Sequence, residues 1–288
     1  MSQKNVLIFF NSNAAGGKSK KHMQAYTAVL AQNDIAFELY KSQTENNAEN
    51  VSQLFAAHSF THVAVIGGDG TLNLAINSLP NFDLPMHLIP AGTGNDLAKM
   101  VYEDTNPSYT YHKILTSTAT KNIDVWTCNQ RKFINVLGIG FDGKLIDQMQ
   151  GKVWWISTRF KYWVEIMKQI FFYKSQSIRI NGEPHTSFMC CISNGKVFGG
   201  DFNIAPNALA DDKKLDLINV QKVNALQRLF YLPLLQQGKH LHLKVITHFQ
   251  TDNLHIEAEE QLFAEIDGEP MKAKEFSIAY AGSLQFVC

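Results

Sequence analysis

The chain has little that would mark a secreted, metal-stapled or membrane-spanning protein. Its four cysteines, Cys128, Cys190, Cys191 and Cys288, form no C-x-x-C and no Cys/His zinc spacing. Plain thiols in a reducing compartment are the reading this leaves. No apolar run reaches the roughly 18 residues that a spanning helix needs. The run VLIFF at 6–10 is too short for a signal segment and turns polar at once. Net charge is also missing: 26 Lys and Arg balance 26 Asp and Glu, so no overall basic excess argues for nucleic acid. Together these absences point to a cytoplasmic protein with no nucleic-acid partner. What is present is a globular composition, 45% hydrophobic and 18% charged, over 288 residues, enough for one large domain or two modest ones.

Periodicity divides the chain in two. Up to about residue 125, strand-like runs (NVLIFF, IAFELY, THVAVIG, MHLIP) alternate with helix-like ones (KSKKHMQAYTAVLAQ, AENVSQLFAAH, TLNLAINSL, NDLAKMVY). That order predicts an α/β domain with a largely parallel sheet, whose ligands bind at the carboxyl ends of the strands. Near residue 123 the pattern changes. IDVWTC and KFINVLGIG flank the turn NQRK and read as a hairpin. A helical insert covers about 142–173, and a helix covers about 224–236. The other segments are short strands: SIRIN, TSFMCCIS, LDLINV, LKVITHF, NLHIEA, QLFAEID, FSIAYA and SLQFV. Their spacing predicts an antiparallel β-sandwich or barrel over 126–276, with a tail at about 277–288 that returns to the first domain.

Three glycine-rich turns fall at predicted strand ends: NSNAAGG, GGDG and AGTGND. The first nearly matches a P-loop, but Ser12 stands where that pattern needs glycine. GGDGTLN is no dinucleotide fingerprint, because Asn73 occupies the third glycine position. A carboxylate at a helix start is favourable in its own right, which accounts for Asp69 alone. It does not account for Asp69, Asp96 and Asp124 together. Carboxylates gathered at one sheet edge repel unless a cation neutralises them. Mg²⁺ arriving with nucleotide phosphates would do that.

GGDGTLN followed by PAGTGNDLA resembles the diacylglycerol kinase catalytic family, which takes in soluble bacterial lipid kinases of the YegS type and sphingosine and ceramide kinases. FINVLGIGFDGKLI (133–146), FGGDFNIAPNALADDKKLDL (198–217) and FAEIDGEP (263–270) extend the likeness over most of the chain. The resemblance implies an α/β domain like that of NAD kinases and phosphofructokinases, followed by a β-sandwich. It implies a cleft between them in which the γ-phosphate of ATP passes to a hydroxyl of a lipid such as diacylglycerol.

Residue by residue, the resemblance places Asn11, Ser12, Asn13, Ala14 and Ala15 along the ATP phosphates or ribose. Thr44, the loop Gly67, Gly68, Asp69, Gly70, Thr71, Leu72 and Asn73, and Thr93 complete the nucleotide site. Asp69, Asp96 and Asp124 would hold a Mg²⁺–water network. Asp267 and Glu269 match the D-G-E pair from which the proton acceptor comes, and either could serve. Asp212, with the carbonyls of Leu209 and Lys214, matches a structural Mg²⁺ loop, although Lys213 replaces the usual glycine and a plain solvated charge cluster explains the loop as well. Two other readings stay open: a kinase of a soluble substrate such as NAD, and a nucleotide-binding regulator without turnover.

KVWWISTRFKYWVEIMKQIFFYK (152–174) places Trp155, Tyr162, Trp163, Ile166, Ile170 and Tyr173 near one helical stripe with Lys and Arg interspersed. Such a helix either packs on its own domain or a dimer partner, or lies in a membrane interface. The second case would put the protein peripherally at the inner membrane face, beside its lipid substrate.

Overall fold

The computed structural model describes residues 4–12, 17–92, 94–117, 119–149, 158–199 and 202–288. The chain forms two compact units, Met1–Val125 with Ala281–Cys288, and Trp126–Tyr280.

In the first unit, β1 (Asn5–Phe10), β2 (Ala36–Lys41), β3 (His62–Gly67) and β4 (Met86–Pro90) pair in parallel in the order β4-β3-β1-β2. Strands β1, β3 and β4 are buried almost end to end. Continuous apolar runs suit parallel strands covered on both faces. Helices α1 (Lys18–Gln32), α2 (Asn47–Ala57), α3 (Asp69–Ser78) and α4 (Asp96–Val101) follow the four strands in turn. Tyr26 and Leu30 of α1 join Val6, Ile8, Ala64 and Ile66 in one core. Two short helices, α5 (Pro107–Thr110) and α6 (Lys113–Thr116), have no periodicity long enough to register in the sequence. α5 is set by local chemistry instead: Asn106 caps it and Pro107 opens it.

The first unit also buries a histidine. His87 Nε2 lies 2.8 Å from the Thr110 carbonyl, which can only accept, so Nε2 carries the proton and Nδ1 accepts from the Tyr26 hydroxyl at 2.9 Å. Burial pushes this imidazole down to about 3, so it is neutral.

Strand β5 (Thr120–Cys128) leads into the second unit. There β6 (Arg131–Phe133), β7 (Val136–Gly140), α7 (Phe141–Met149), α8 (Thr158–Phe172), β8 (Gln176–Ile180), β9 (Glu183–Ser187) and β10 (Met189–Ser193) follow. β11 (Leu215–Val220), α9 (Ala225–Gln236), β12 (Ile246–Thr251), β13 (Asn253–Ile266) and β14 (Glu269–Val287) complete the chain. The pairings β12-β11-β10-β7-β13 and β13-β14 are antiparallel, so this unit is the antiparallel sandwich. The end of β14, within the first unit, pairs in parallel with β4 through Phe286 and Met86.

Strand β10 is buried throughout and serves two cores. Cys190 and Ile192 face the inter-strand core with Trp126, Leu137 and Ile266. Met189 and Cys191 face the helices with Phe141, Ile166 and Val220. Adjacent cysteines on opposite faces of a strand cannot pair, and all four thiols are free.

The predicted elements need corrections, the first being that KFINVLGIG is two strands, β6 and β7, of which only β6 pairs with β5. NLHIEA and QLFAEID are one strand, β13, with a register shift between Glu257 and Leu262. FSIAYA and SLQFV are likewise one strand, β14. β9 was not predicted, although Asn181 and Gly182 take the left-handed conformations of a two-residue hairpin turn (φ 49° and 86°); an Asn-Gly pair between strands is the usual signal for that turn. On α8, Ile166 and Ile170 are buried, while Val164, Met167, Phe171 and Phe172 are exposed. Ile166, Ile170 and Tyr173 of the predicted stripe thus pack on one core, and the helix carries further apolar residues outside that stripe. Trp155 lies outside the described residues, as does the Tyr162 side chain.

Candidate active site

In the first unit the two glycine-rich turns meet back to back. β3 ends at Gly67 and α3 starts at Asp69; β4 ends at Pro90 and α4 starts at Asp96. The Ala91 N–H donates to the Gly67 carbonyl at 2.8 Å. A β-carbon on Gly68 would lie 2.9 Å from Gly92 Cα, so the backbones touch where any larger residue would part them. Asn95, in the left-handed region, ties the second turn to itself: its Oδ1 accepts from Gly92 N at 2.8 Å and its Nδ2 donates to Gly92 O at 3.0 Å.

This contact carries the aspartates with it. Asp69 Oδ1 accepts from the Leu97 N–H at 3.2 Å, so the side chain of one turn caps the helix of the other. A β-carbon on Gly94 would sit 3.2 Å from Asp69 Oδ2 and 3.8 Å from Asp96 Oδ2. The two carboxylates thus flank one point. Lys99 Nζ lies 2.9 Å from Asp96 Oδ1 and offsets part of that charge. Asp124 is buried in β5.

Among the described residues no group of three acids, histidines or cysteines is placed to hold a metal. Two adjacent carboxylates fit a Mg²⁺ that brings phosphate oxygens and water as its other ligands, which is how that ion is commonly bound. They do not make an all-protein cage.

Asn11 and Ser12 follow β1, with the Asn11 carbonyl accepting from Ser19 Oγ at 2.7 Å. Thr44 is exposed beyond β2. Thr71, Leu72 and Asn73 are buried on α3, next to Gly70 in its first turn. Asn13, Ala14, Ala15 and Thr93 lie outside the described residues.

In the second unit the D-G-E segment is a hairpin turn. Asp267 and Gly268 have φ of 49° and 85° between the paired residues Ile266 and Glu269. Asp-Gly is a favoured pair for such a turn, so its first role is to reverse the chain. Asp267 is buried. Its Oδ1 accepts from Asn135 N (2.9 Å) and Val136 N (3.0 Å), and its Oδ2 from Ile134 N (2.9 Å). Three backbone bonds fix its direction and pin the link between β6 and β7. Glu269 is exposed.

Two further carboxylates, absent from the sequence reading, lie behind this turn. Glu265 Oε2 accepts from Gly268 N at 2.6 Å, while its Oε1 is buried with no hydrogen-bond partner. A β-carbon on Gly138 would lie 2.8 Å from Glu265 Oε1 and 3.2 Å from Asp142 Oδ2. Burial holds Glu265 well above the carboxylate range, and the Asp142 and Asp267 charges add to that against the backbone N–H groups of Gly268 and Gly138. Burial also pushes Asp142 up to about 6, against the Cys191 thiol, whose Sγ donates to Oδ2 at 3.0 Å.

Asp142 also lines an apolar cavity of about 50 Å³ under α7, α8 and α9, with Phe141, Ile166, Ile170 and Phe188. Arg228 borders it. Its guanidinium lies 4.0 Å over the Phe188 ring and donates to the carbonyls of Ile170 (2.7 Å) and Tyr173 (2.9 Å).

The 209–214 loop holds a single bonded carboxylate: Asp212 Oδ1 accepts from Lys214 N at 3.0 Å, and Leu209 is exposed. Lys213 has φ 58°, so the backbone takes the left-handed form that glycine would take without strain.

An α/β unit with a mostly parallel sheet, followed by an antiparallel sandwich, defines the class of fold. The same fold occurs in a solved structure described as a putative diacylglycerol kinase from Bacillus anthracis str. Sterne, with a TM-score of 0.77, 22% identity and coverage of 99% of this chain and 95% of that one. The diacylglycerol kinase catalytic domain matches residues 5–128, and the YegS C-terminal NAD kinase beta sandwich-like domain matches 135–280. The chain belongs to the diacylglycerol kinase and YegS-like lipid kinase family. Curated relatives include a diacylglycerol kinase of Bacillus subtilis (strain 168), 21% identical over 92% of this chain and 90% of that protein. Another, from Mycobacterium tuberculosis, is 25% identical over 68% of this chain, and the chain spans 66% of its length.

Proposed function

We propose that this protein transfers the γ-phosphate of ATP to the hydroxyl of a lipid alcohol such as diacylglycerol. The observation that carries the reading is the contact of the GGDG and AGTGND turns, which brings Asp69 and Asp96 to one point at the carboxyl ends of β3 and β4. Phosphoryl transfer has a loose transition state, so catalysis is mostly positioning and charge neutralisation. Backbone N–H groups at the starts of α3 and α4 suit phosphate oxygens. Asp69 and Asp96, with Asp124 as a further carboxylate, would hold Mg²⁺, which supplies neutralisation of the transferring phosphate when bound.

On the acceptor side, the D-G-E turn supplies the carboxylate that takes or orients the hydroxyl proton. Asp267 is held rigidly by its three backbone bonds, and Glu269 stands free of such restraint in solvent. The match to the diacylglycerol kinase catalytic domain supports a lipid acceptor. Labelled ATP with Mg²⁺, offered extracted lipids and NAD side by side, tests this reading. Label in lipid supports it; label in NAD alone overturns it.

A further inference from the structure

Glu265 is a carboxyl group enclosed at the back of the D-G-E turn, 2% exposed near the end of β13. Its strand neighbours offer it no side-chain partner: it pairs with Gly138 of β7 on one side and Pro270 of β14 on the other. Paired residues on adjacent strands share a face of the sheet. A β-carbon on Gly138 would lie 2.8 Å from Glu265 Oε1, so the glutamate fills the place that Gly138 leaves open. From there Oε2 accepts from the Gly268 N–H at 2.6 Å, while Oε1 has no hydrogen-bond partner. Gly268, with φ 85°, is the residue between Asp267 and Glu269. Glu265 therefore grips the middle of the turn.

Asp142 decides which form of Glu265 does so. It opens α7, and Gly143 after it seats that helix on β13, since a β-carbon there would overlap the Ala264 backbone. Asp142 Oδ2 borders the same point as Glu265 Oε1, 3.2 Å from where the Gly138 β-carbon would be. Two carboxyl groups enclosed this closely do not both ionise readily. Asp142 is the better placed to carry charge, because it lies in the first turn of a helix and accepts from the Cys191 thiol at 3.0 Å. Glu265 has Asp267 as a second negative neighbour. The other titratable groups facing the pair, Cys190, Cys191 and Tyr173, are each pushed up by burial and then by the Asp142 charge. The nearby cations are engaged elsewhere. Lys144 and Lys272 lie against Asp147 and the Phe263 ring. Arg228 donates to the carbonyls of Val223, Ile170 and Tyr173.

We propose that Glu265 is a positioning residue for phosphoryl transfer: as a neutral acid it holds the Gly268 N–H, and so fixes the turn that presents Asp267 and Glu269 to the acceptor hydroxyl. This rests on the kinase reading above. In that form Oε2 keeps the bond to Gly268 and Oε1 carries the proton on the side of Asp142. Ionised Glu265 would place a third negative charge beside Asp142 and Asp267, away from water, and the repulsion would loosen the turn. Glutamine has the same shape and is neutral, with one oxygen to accept and an amide to donate, so it should replace Glu265. Leucine should not, because it leaves the Gly268 N–H without its acceptor.

The test compares the full chain with its Glu265→Gln and Glu265→Leu variants. Two readouts need no turnover. The Glu265 carboxyl carbon resonance, assigned by its loss in Glu265→Gln, should keep its protonated position well above the ordinary glutamate value of about 4.3. The Gly268 amide should exchange slowly in the wild type and in Glu265→Gln, and fast in Glu265→Leu. Turnover gives the third. Glu265→Leu should lower kcat, by up to roughly a hundredfold, with KM for ATP unchanged. Glu265→Gln should restore kcat and remove the fall that the wild type shows at alkaline pH as Glu265 ionises.

The inference is overturned if Glu265 titrates with the ordinary glutamates, if Glu265→Gln loses as much kcat as Glu265→Leu, or if Glu265→Leu turns over like the wild type. Should Glu265→Leu not fold by circular dichroism, the glutamine variant decides: the same alkaline fall in kcat as the wild type overturns the inference, and its loss supports it. Transfer to lipid that is indifferent to Glu265 removes the positioning role and keeps the kinase reading. A protonated Glu265 with a protected Gly268 amide, in a protein that labels no lipid, removes the kinase reading and keeps the hold on the turn.

Discussion

The two units treat buried polarity in opposite ways. In the first, His87 is fully enclosed but has a hydrogen bond at each ring nitrogen and stays neutral. Its polarity goes into structure, and the Asp69 and Asp96 carboxylates stand at the turn ends. In the second, Asp142 and Glu265 are buried side by side, and one oxygen of Glu265 has no hydrogen-bond partner. Burying carboxylates without full pairing is costly, and here the cost falls directly behind the turn that carries Asp267 and Glu269. The first unit resembles a finished scaffold with a site at its edge. The second keeps uncompensated polarity in its interior.

The largest expected effect tests the first half of that contrast. Asp69→Ala should lower phosphoryl transfer by roughly 10²–10³ or more and leave circular dichroism unchanged. Near-normal turnover would remove the site from the turn contact. Next come Asp267→Asn and Glu269→Gln. Asp267→Asn should cost both activity and thermal stability, because three backbone donors lose a charged acceptor. Glu269→Gln should cost activity alone if Glu269 takes the proton, and a Glu269→Gln enzyme with unchanged kcat assigns that role to Asp267.

The buried acids give the next effect, and its sign follows from linkage. Asp142 titrates at about 6 in the folded protein against roughly 3.9 in an unfolded chain. Its neutral form is tolerated below about pH 4, and the cost of its charge grows as pH rises and is fully present above about 6. Asp142→Asn should therefore gain stability over the wild type across that window, on the order of 3 kcal/mol at the top of it. Hydrogen exchange resolved to the second unit would measure this, and a flat difference between pH 4 and 8 would contradict it.

His87 runs the other way. Its folded value of about 3 lies below the unfolded one of roughly 6.5, so its contribution is present at neutral pH and is lost as pH falls between those values. Its ring resonances should not titrate between pH 5 and 8. A smaller effect belongs to Gly68→Ala, whose β-carbon would press on Gly92 and should cost about 1–3 kcal/mol by overpacking, read in the thermal midpoint.

Much of this was legible in the chain. The alternation of periods foretold the parallel sheet, and α1, β2 and β4 fall within a residue or so of their apolar runs. The Asp-Gly and Asn-Gly pairs at 267–268 and 181–182 carry a hairpin signal that could have joined β13 to β14 and found β9. Glu265 was not legible. Its neighbours Leu262, Ala264 and Ile266 mark the core face of β13, and strand alternation puts Glu265 on the other face, where a carboxylate is expected to meet water. It is buried because Gly143 lets α7 press onto the Ala264 backbone, which the local pattern does not encode. The exposed apolar side of α8 was hidden for a related reason: apolar residues outside the buried stripe give periodicity no single face to choose.

The sequence by itself determined the order and kind of the elements, the glycine turns at the strand ends and the acids placed in them, because those follow from local periods and backbone permissions. Only the tertiary structure decided that Gly68 meets Gly92, that Asp69 caps the neighbouring helix beside Asp96, and that Asp142 and Glu265 share one interior. Each of those joins residues far apart in the chain, and their chemistry depends on contact distance and loss of water rather than on sequence spacing.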